Sequence, residues 1–450
     1  LSSLLGSAGL ITSQALGESG SLNPLTPRAP QFLGRAKRVI HIFANGGPSH
    51  VDTFDPKPSL DRWHGKEIPI HHNTERKTGA AWRSPFQFKK YGQSGIEVSD
   101  LFEKTAACID DICVIRSMKA DVPNHEPSLL LMNCGEARQV RPSFGSWVTY
   151  GLGSDNQNMP GFVVMCPGGY PIQESQNWQS GFLPGVYQGT YIDTKHTQIE
   201  KLIENINNVR TSPEAQKGQL ALLRKLNEEH RRARTADPQL DARIQSFELA
   251  YRMQMDAADA FDIQREPESV RKLYGEGTQS RQLLIARRLV ERGVRFVQVV
   301  NNGQSWDQHS NLYTALPDLC AKTDQPVAAL IHDLKALGLL DSTLVHWGGE
   351  MGRLPVIQND GPKEKVGRDH NTYGFTHWLA GGGVRGGMTY GETDEWGHHA
   401  VKDIVTHHDL HATLLHLFGL DHTRLIYRRA GRELSLTDNK PARVVRDILR

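Results

Sequence analysis

Short apolar runs alternate with stretches of helical spacing along most of the chain. Residues 38–44 (RVIHIFA), 112–118, 161–166, 294–300 and 343–347 are five such runs, rich in β-branched and aromatic residues and cut off by Gly, Pro or polar residues. They predict buried strands. Residues 125–133 and 278–292 read as helices. Leu316, Leu319, Thr323, Val327, Leu330, Leu334 and Leu337 keep a three- or four-residue beat that predicts an amphipathic helix over 316–338, stopped by Gly338. Asp409 is expected to cap a last core helix ending near Gly419. Strand–helix alternation with short links predicts an α/β fold, a three-layer α/β/α sandwich around a mostly parallel sheet. Residues 170–275, highly charged and helix-spaced over 196–262, are expected to form a largely helical insertion at one edge.

The ends of the chain read differently. Residues 1–17 are small and apolar, and the first charge is Glu18; this is the texture of an export signal. Pro24, Pro27 and Pro30 mark residues 18–36 as a linker. The expected organisation is therefore 1–36 as signal remnant and linker and 37–450 as one domain, exported to the periplasm or the extracellular space. Five cysteines form no CxxC pair or zinc-finger spacing, and they are expected to be buried and unpaired, with a Cys108–Cys113 bridge as the alternative. A net charge of +2 argues against a nucleic-acid-binding protein, which needs a basic face. No run approaches the 18 or so apolar residues of a transmembrane segment.

In parallel sheets ligands bind beyond the carboxyl ends of the strands, so the polar residues there carry the chemistry. The first run is followed by Asp52, the run 294–300 by Asp307 and His309, and the run 343–347 by Glu350 and Arg353. Asp369, His370 and His411 lie further on. Twelve of the 20 histidines fall between residues 301 and 450, which concentrates imidazole where these carboxylates are. Carboxylate with imidazole suits zinc, manganese or iron, whereas carboxylates alone favour magnesium or calcium. His398 and His399 sit in a polar loop and are expected to face solvent. The chain has no GxSxG elbow, HExxH helix or P-loop.

The stretches GGPSHVDTFDPKP (46–58), PNHEPSLLLMNCG (123–135), RPSFGSWVTYGLG (141–153), WDQHSN (306–311), GRDHNTYGFTHWLAGGG (367–383) and HDLHATLLHLFGLDH (408–422) resemble the exported bacterial family known as domain of unknown function 1501. The layout also resembles the alkaline phosphatase-like superfamily of sulfatases, nucleotide pyrophosphatases and phosphonate hydrolases. That resemblance covers residues 38–450 and implies one or two divalent metal ions. It implies that Asp52 binds one ion and that Asp307 serves the other. His309 stands two residues after Asp307 where relatives usually place a histidine four residues on. Glu350-Met351-Gly352 stands where relatives carry Asp-His-Gly or Asp-Asn-Gly, which leaves Glu350, Asp369, His370 and His411 as substitute ligands. Asp121, before Pro123, occupies the nucleophile position that relatives give to Ser, Thr or an oxidised Cys, and the C/S-x-P-x-R motif of sulfatases is missing. His125, Asn124 and Arg353 are the groups expected to hold an anion. Two readings follow. One is a metal-dependent hydrolase of phosphate or related esters in small molecules or polymers; the other is an inactive metal-binding surface or periplasmic protein on the same fold. The sequence sets no oligomeric state.

Overall fold

The computed structural model describes residues 24–69, 78–202, 211–232, 259–358, 362, 365–438 and 440–450. The expected export signal at 1–17 lies outside them, as do 203–210 and 233–258 of the expected insertion. The main-sheet strands are β1 (Arg38–Phe43), β2 (Ile112–Lys119), β3 (Phe162–Cys166), β4 (Thr190–Asp193), β5 (Phe296–Val300) and β6 (Thr343–Gly348). After a hairpin of β7 (Gly352–Ile357) with β8 (Arg368–Asn371) come β9 (Phe375–Gly381), β10 (Met388–Tyr390) and β11 (Val405–Thr406). The sheet runs β10-β2-β9-β6-β1-β5-β3-β4, with β11 also on β2. Every pairing is parallel except those of β9 with β2 and β6. β3, β5 and β6 are buried throughout, as strands covered on two faces should be.

Helices α1 (His125–Cys134), α2 (Phe144–Leu152), α3 (Thr278–Glu291), α4 (Leu312–Ala336) and α5 (His407–Leu417) complete the layers. On one face, neighbouring strands place His346, His41 and Gln298 in one row. That row packs on α1, α2 and α5: Gln298 bonds Asn133 at 2.9 Å, and His411 stacks on Phe144. On the other face Trp347 packs with Phe54, Phe102 and Trp306, under α3 and α4. α4 begins at Leu312, ahead of the expected start.

Three details depart from the sequence expectations. Asp409 is not the cap of α5; Thr406 is, and Asp409 is the third residue of a capping box that closes both ways. Thr190–Asp193 is a parallel edge strand on β3, so the segment 170–275 also builds part of the sheet. His398 is fully buried, whereas His399 is half-buried. All five cysteines are free. No helix among the described residues is long and apolar enough to cross a membrane.

Candidate metal centre

The carboxyl ends of β1, β2, β5 and β6 open on one rim. Each is followed by a loop that delivers part of the centre: 44–47 after β1, 120–125 after β2, 301–311 after β5 and 349–351 after β6. The β7–β8 hairpin supplies the rest, and its register sets His370 opposite Arg353. His125, Asp307, His309 and His370 bring four donor atoms within 4.8 Å of one another. Around Asp307 Oδ1, His309 Nε2 lies at 2.8 Å, His125 Nε2 at 3.2 Å and His370 Nε2 at 3.3 Å. His309 from the β5 loop and His370 from the hairpin have their Nε2 atoms 3.1 Å apart. His125 is buried and the other three are half-buried, so the centre is reached from solvent.

The opposite edge of each imidazole is occupied. His125 Nδ1 lies 2.6 Å from Glu350 Oε1, His370 Nδ1 lies 2.9 Å from the Pro123 carbonyl, and His309 Nδ1 meets Gln358 Oε1. A peptide oxygen only accepts, so the Nδ1 of His370 must carry its proton toward Pro123, and the His125 Nδ1 faces the Glu350 carboxylate in the same way. The Nε2 atoms then face a common centre, as in histidines that ligate a metal and donate their other N–H outward. His125 Nε2 is buried without a well-formed hydrogen bond. Three imidazole nitrogens and one carboxylate oxygen form a donor set that fits a first-row transition ion.

Charge around Asp307 is arranged to keep it ionised. Burial would raise its pKa, but the adjoining imidazoles of His125, His309 and His370 and the Arg353 charge hold it far below the usual carboxylate range. Burial would lower His125, yet the hydrogen bonds and charges of Asp307 and Glu350 outweigh it and lift His125 to about 9. Burial and the nearby Arg353 keep His370 below its ordinary value against the pull of Asp307. Any cation taken up there would compete with a proton for the Nε2 of His125.

The remaining expected residues fall elsewhere. Arg353 is buried and spent: Nε donates to Gly47 O at 2.9 Å, Nη1 to Arg368 O at 3.2 Å, and Nη2 to Gly46 O and, at 2.6 Å, to Asp307 Oδ1. It fastens Asp307 and has no free edge for an anion. Asp52 is outside the four-donor cluster; its two oxygens take Arg368 Nε and Nη2 at 2.7 and 3.1 Å, in an ion pair with both side chains buried. His411 is also outside, bonded through Nε2 to Met132 O at 2.8 Å in the core. Asp369 stands at the edge, 3.6 Å from His309 Nδ1, with Oδ1 accepting from the His370 N–H. Glu350 is wholly buried and touches His125 rather than the four-donor point. Asp121 is exposed in the loop before α1. His125, expected to hold an anion, is instead one of the four converging donors; its place after a strand was the available signal. Gln358 had no signal in the sequence. A second group, Asp394 with His398 and His399, is a closed loop in which Trp396, His398 and His399 N–H groups already bind the Asp394 carboxylate.

Among solved structures, this chain is similar to Ps i-CgsB in complex with k-i-k-neocarrahexaose, at 10% identity over 86% of this chain and 73% of that one, with a TM-score of 0.38. It is similar to the PsFucS1 sulfatase from Pseudoalteromonas sp., at 11% identity, 86% and 68% coverage and a TM-score of 0.35. A mutant TAB5 alkaline phosphatase with Mg bound matches at 9% identity, 81% and 97% coverage and a TM-score of 0.34. Overlaps this loose carry no argument about chemistry. No curated protein matches the sequence. The family model described as "Protein of unknown function (DUF1501)" matches residues 36–449, and the chain belongs to that family.

Proposed function

We propose that this protein is a hydrolase of phosphate or related ester bonds, in a small molecule or a polymer, that works with one transition-metal ion held by His125, Asp307, His309 and His370. The observation that carries the reading is the convergence of three Nε2 atoms on Asp307 Oδ1, with an acceptor behind each Nδ1. Nitrogen supplies three of the four donors, which favours zinc or manganese over magnesium or calcium. Such an ion, when bound, is a Lewis acid for an ester oxygen and lowers the pKa of water toward neutrality. The chain's own groups do the positioning. Arg353 neutralises and fastens Asp307, and Glu350, Gln358 and the Pro123 carbonyl orient the imidazoles. α1 starts at His125, so the positive end of its dipole lies at the centre and favours an anionic substrate. Export rests on the small, apolar texture of residues 1–17.

The test is hydrolysis of an aryl phosphate monoester and diester by metal-stripped protein, before and after adding zinc or manganese. Activity should return with metal and be absent from His309→Ala. Activity independent of metal would reject the reading. A second reading, a metal-binding protein without hydrolysis, draws on the exposure of Asp121 at the nucleophile position and on the Arg368 guanidinium that occupies Asp52. It predicts metal binding with no turnover of either ester.

A further inference from the structure

Glu350 has both its side chain and its main chain fixed. Its carboxylate is 0% exposed, with Oε1 2.6 Å from His125 Nδ1 and both oxygens, at 2.9 and 3.1 Å, taking the Gly46 N–H. Its own carbonyl accepts from His407 Nε2 at 3.1 Å, and the preceding Gly349 carbonyl accepts from His377 Nε2 at 2.7 Å. The residue whose N–H donates to Glu350, Gly46, also accepts from Arg353 through its own carbonyl, and Arg353 holds Asp307. One residue thus links the carboxylate behind His125 to the guanidinium behind Asp307. This close approach requires glycine: Gly46 has φ +112°, and a Cβ there would lie 2.4 Å from the Asp307 nitrogen.

We infer that Glu350 is a positioning residue rather than a metal ligand, aiming the Nε2 of His125 at the ion through its bond to Nδ1 and tied to Asp307 through Gly46 and Arg353. The inference rests on the metal reading above. A carboxylate in that place also makes the imidazole a better donor, and removing such a partner costs about ten- to a hundredfold in metal affinity.

The experiment uses the full chain, metal-stripped and reloaded, with zinc affinity measured by chelator competition and cobalt(II) absorption recorded at saturation. Wild type, Glu350→Ala, the near-isosteric Glu350→Gln and His309→Ala are compared, with thermal melts to confirm folding. Both Glu350 variants should bind zinc about ten- to a hundredfold more weakly, yet keep the wild-type cobalt bands once saturated, because all four donors remain. His309→Ala, which loses a donor, should change the bands. Should Glu350→Ala fail to fold, Glu350→Gln carries the comparison alone. Cobalt bands altered in a Glu350 variant as they are in His309→Ala would make Glu350 a ligand and overturn the inference. Wild-type zinc affinity in the folded Glu350 variants would overturn it too, with the metal reading intact. Wild-type protein that takes up neither zinc nor cobalt would overturn both.

Discussion

Acid should unfold this protein well above the range in which its carboxylates protonate, because the face of the sheet under α1, α2 and α5 is lined with neutral imidazoles. His41 stacks on His346 with ring centres 4.6 Å apart, and His346 Nε2 lies 3.1 Å from His377 Nδ1. His407 and His411 lie close by on α5. Burial, reinforced by repulsion from neighbouring histidines, lowers His41, His407 and His411 to about 3 and holds His346 and His377 well below their ordinary value. A histidine whose folded pKa is depressed stabilises the fold above its unfolded pKa, near 6.5, and loses that contribution as pH falls toward the folded value. Each such group contributes a slope of about 1.4 kcal/mol per pH unit. The three at about 3 then give about 4 kcal/mol per unit. Between pH 6.5 and 5 that is about 6 kcal/mol, against a total stability of about 5–15 kcal/mol for an ordinary domain. His125 has the opposite sign. Raised to about 9, its contribution is complete below pH 6.5 and fades between 6.5 and 9, so it offsets none of the acid loss. The assay is urea unfolding followed by circular dichroism from pH 8 to pH 5 in the presence of a chelator. The midpoint should fall steeply below pH 6.5, and His41→Phe, which keeps a ring to stack on His346, should make the slope shallower by about 1.4 kcal/mol per unit. A midpoint constant from pH 7 to 5, or an unchanged slope in His41→Phe, would refute the reasoning.

Other outcomes follow from the centre and its surroundings. Because an ion must displace the His125 proton that is held to about 9, zinc affinity should rise about tenfold per pH unit up to that value; a flat competition profile between pH 6 and 8 would contradict the assignment of His125. Arg368→Met strands the buried Asp52 carboxylate and should cost about 3–5 kcal/mol in urea unfolding, while the folded protein keeps its zinc stoichiometry and Asp52→Asn in the same background restores part of the loss. Zinc lost without destabilisation would instead make Asp52 a ligand. Gly46→Ala forces a Cβ to within 2.4 Å of the Asp307 nitrogen and should weaken zinc binding by about tenfold or more; calorimetric titration showing wild-type affinity would argue against a rigid link between that peptide and the centre.

Five strands of the main sheet and four of the five long helices are written in local pattern. A run such as RVIHIFA or FVQVV declares a strand by itself, and the beat of leucines declares α4, because residues two or three and four apart share a face whatever lies opposite. The position after a strand marked Asp307 and His309 for the same reason, whereas His370, which lies within β8, was suggested by the family resemblance. Local pattern does not say what a polar side chain meets across the fold. His125 and His411 are each a histidine on a helix, yet one faces Glu350, 225 residues away, and the other faces the Met132 carbonyl, 279 residues away. Asp52 follows β1 as a ligand should, but an arginine 316 residues further along reaches it first. An imidazole or carboxylate removed from water needs some partner, and a carbonyl, a guanidinium or a metal ion each satisfies that need. The sequence by itself determined the strands and several of the polar residues that follow them, Asp307 and His309 among them. Which partner each of them finds was decided by contacts between distant segments, and only the tertiary structure contains those.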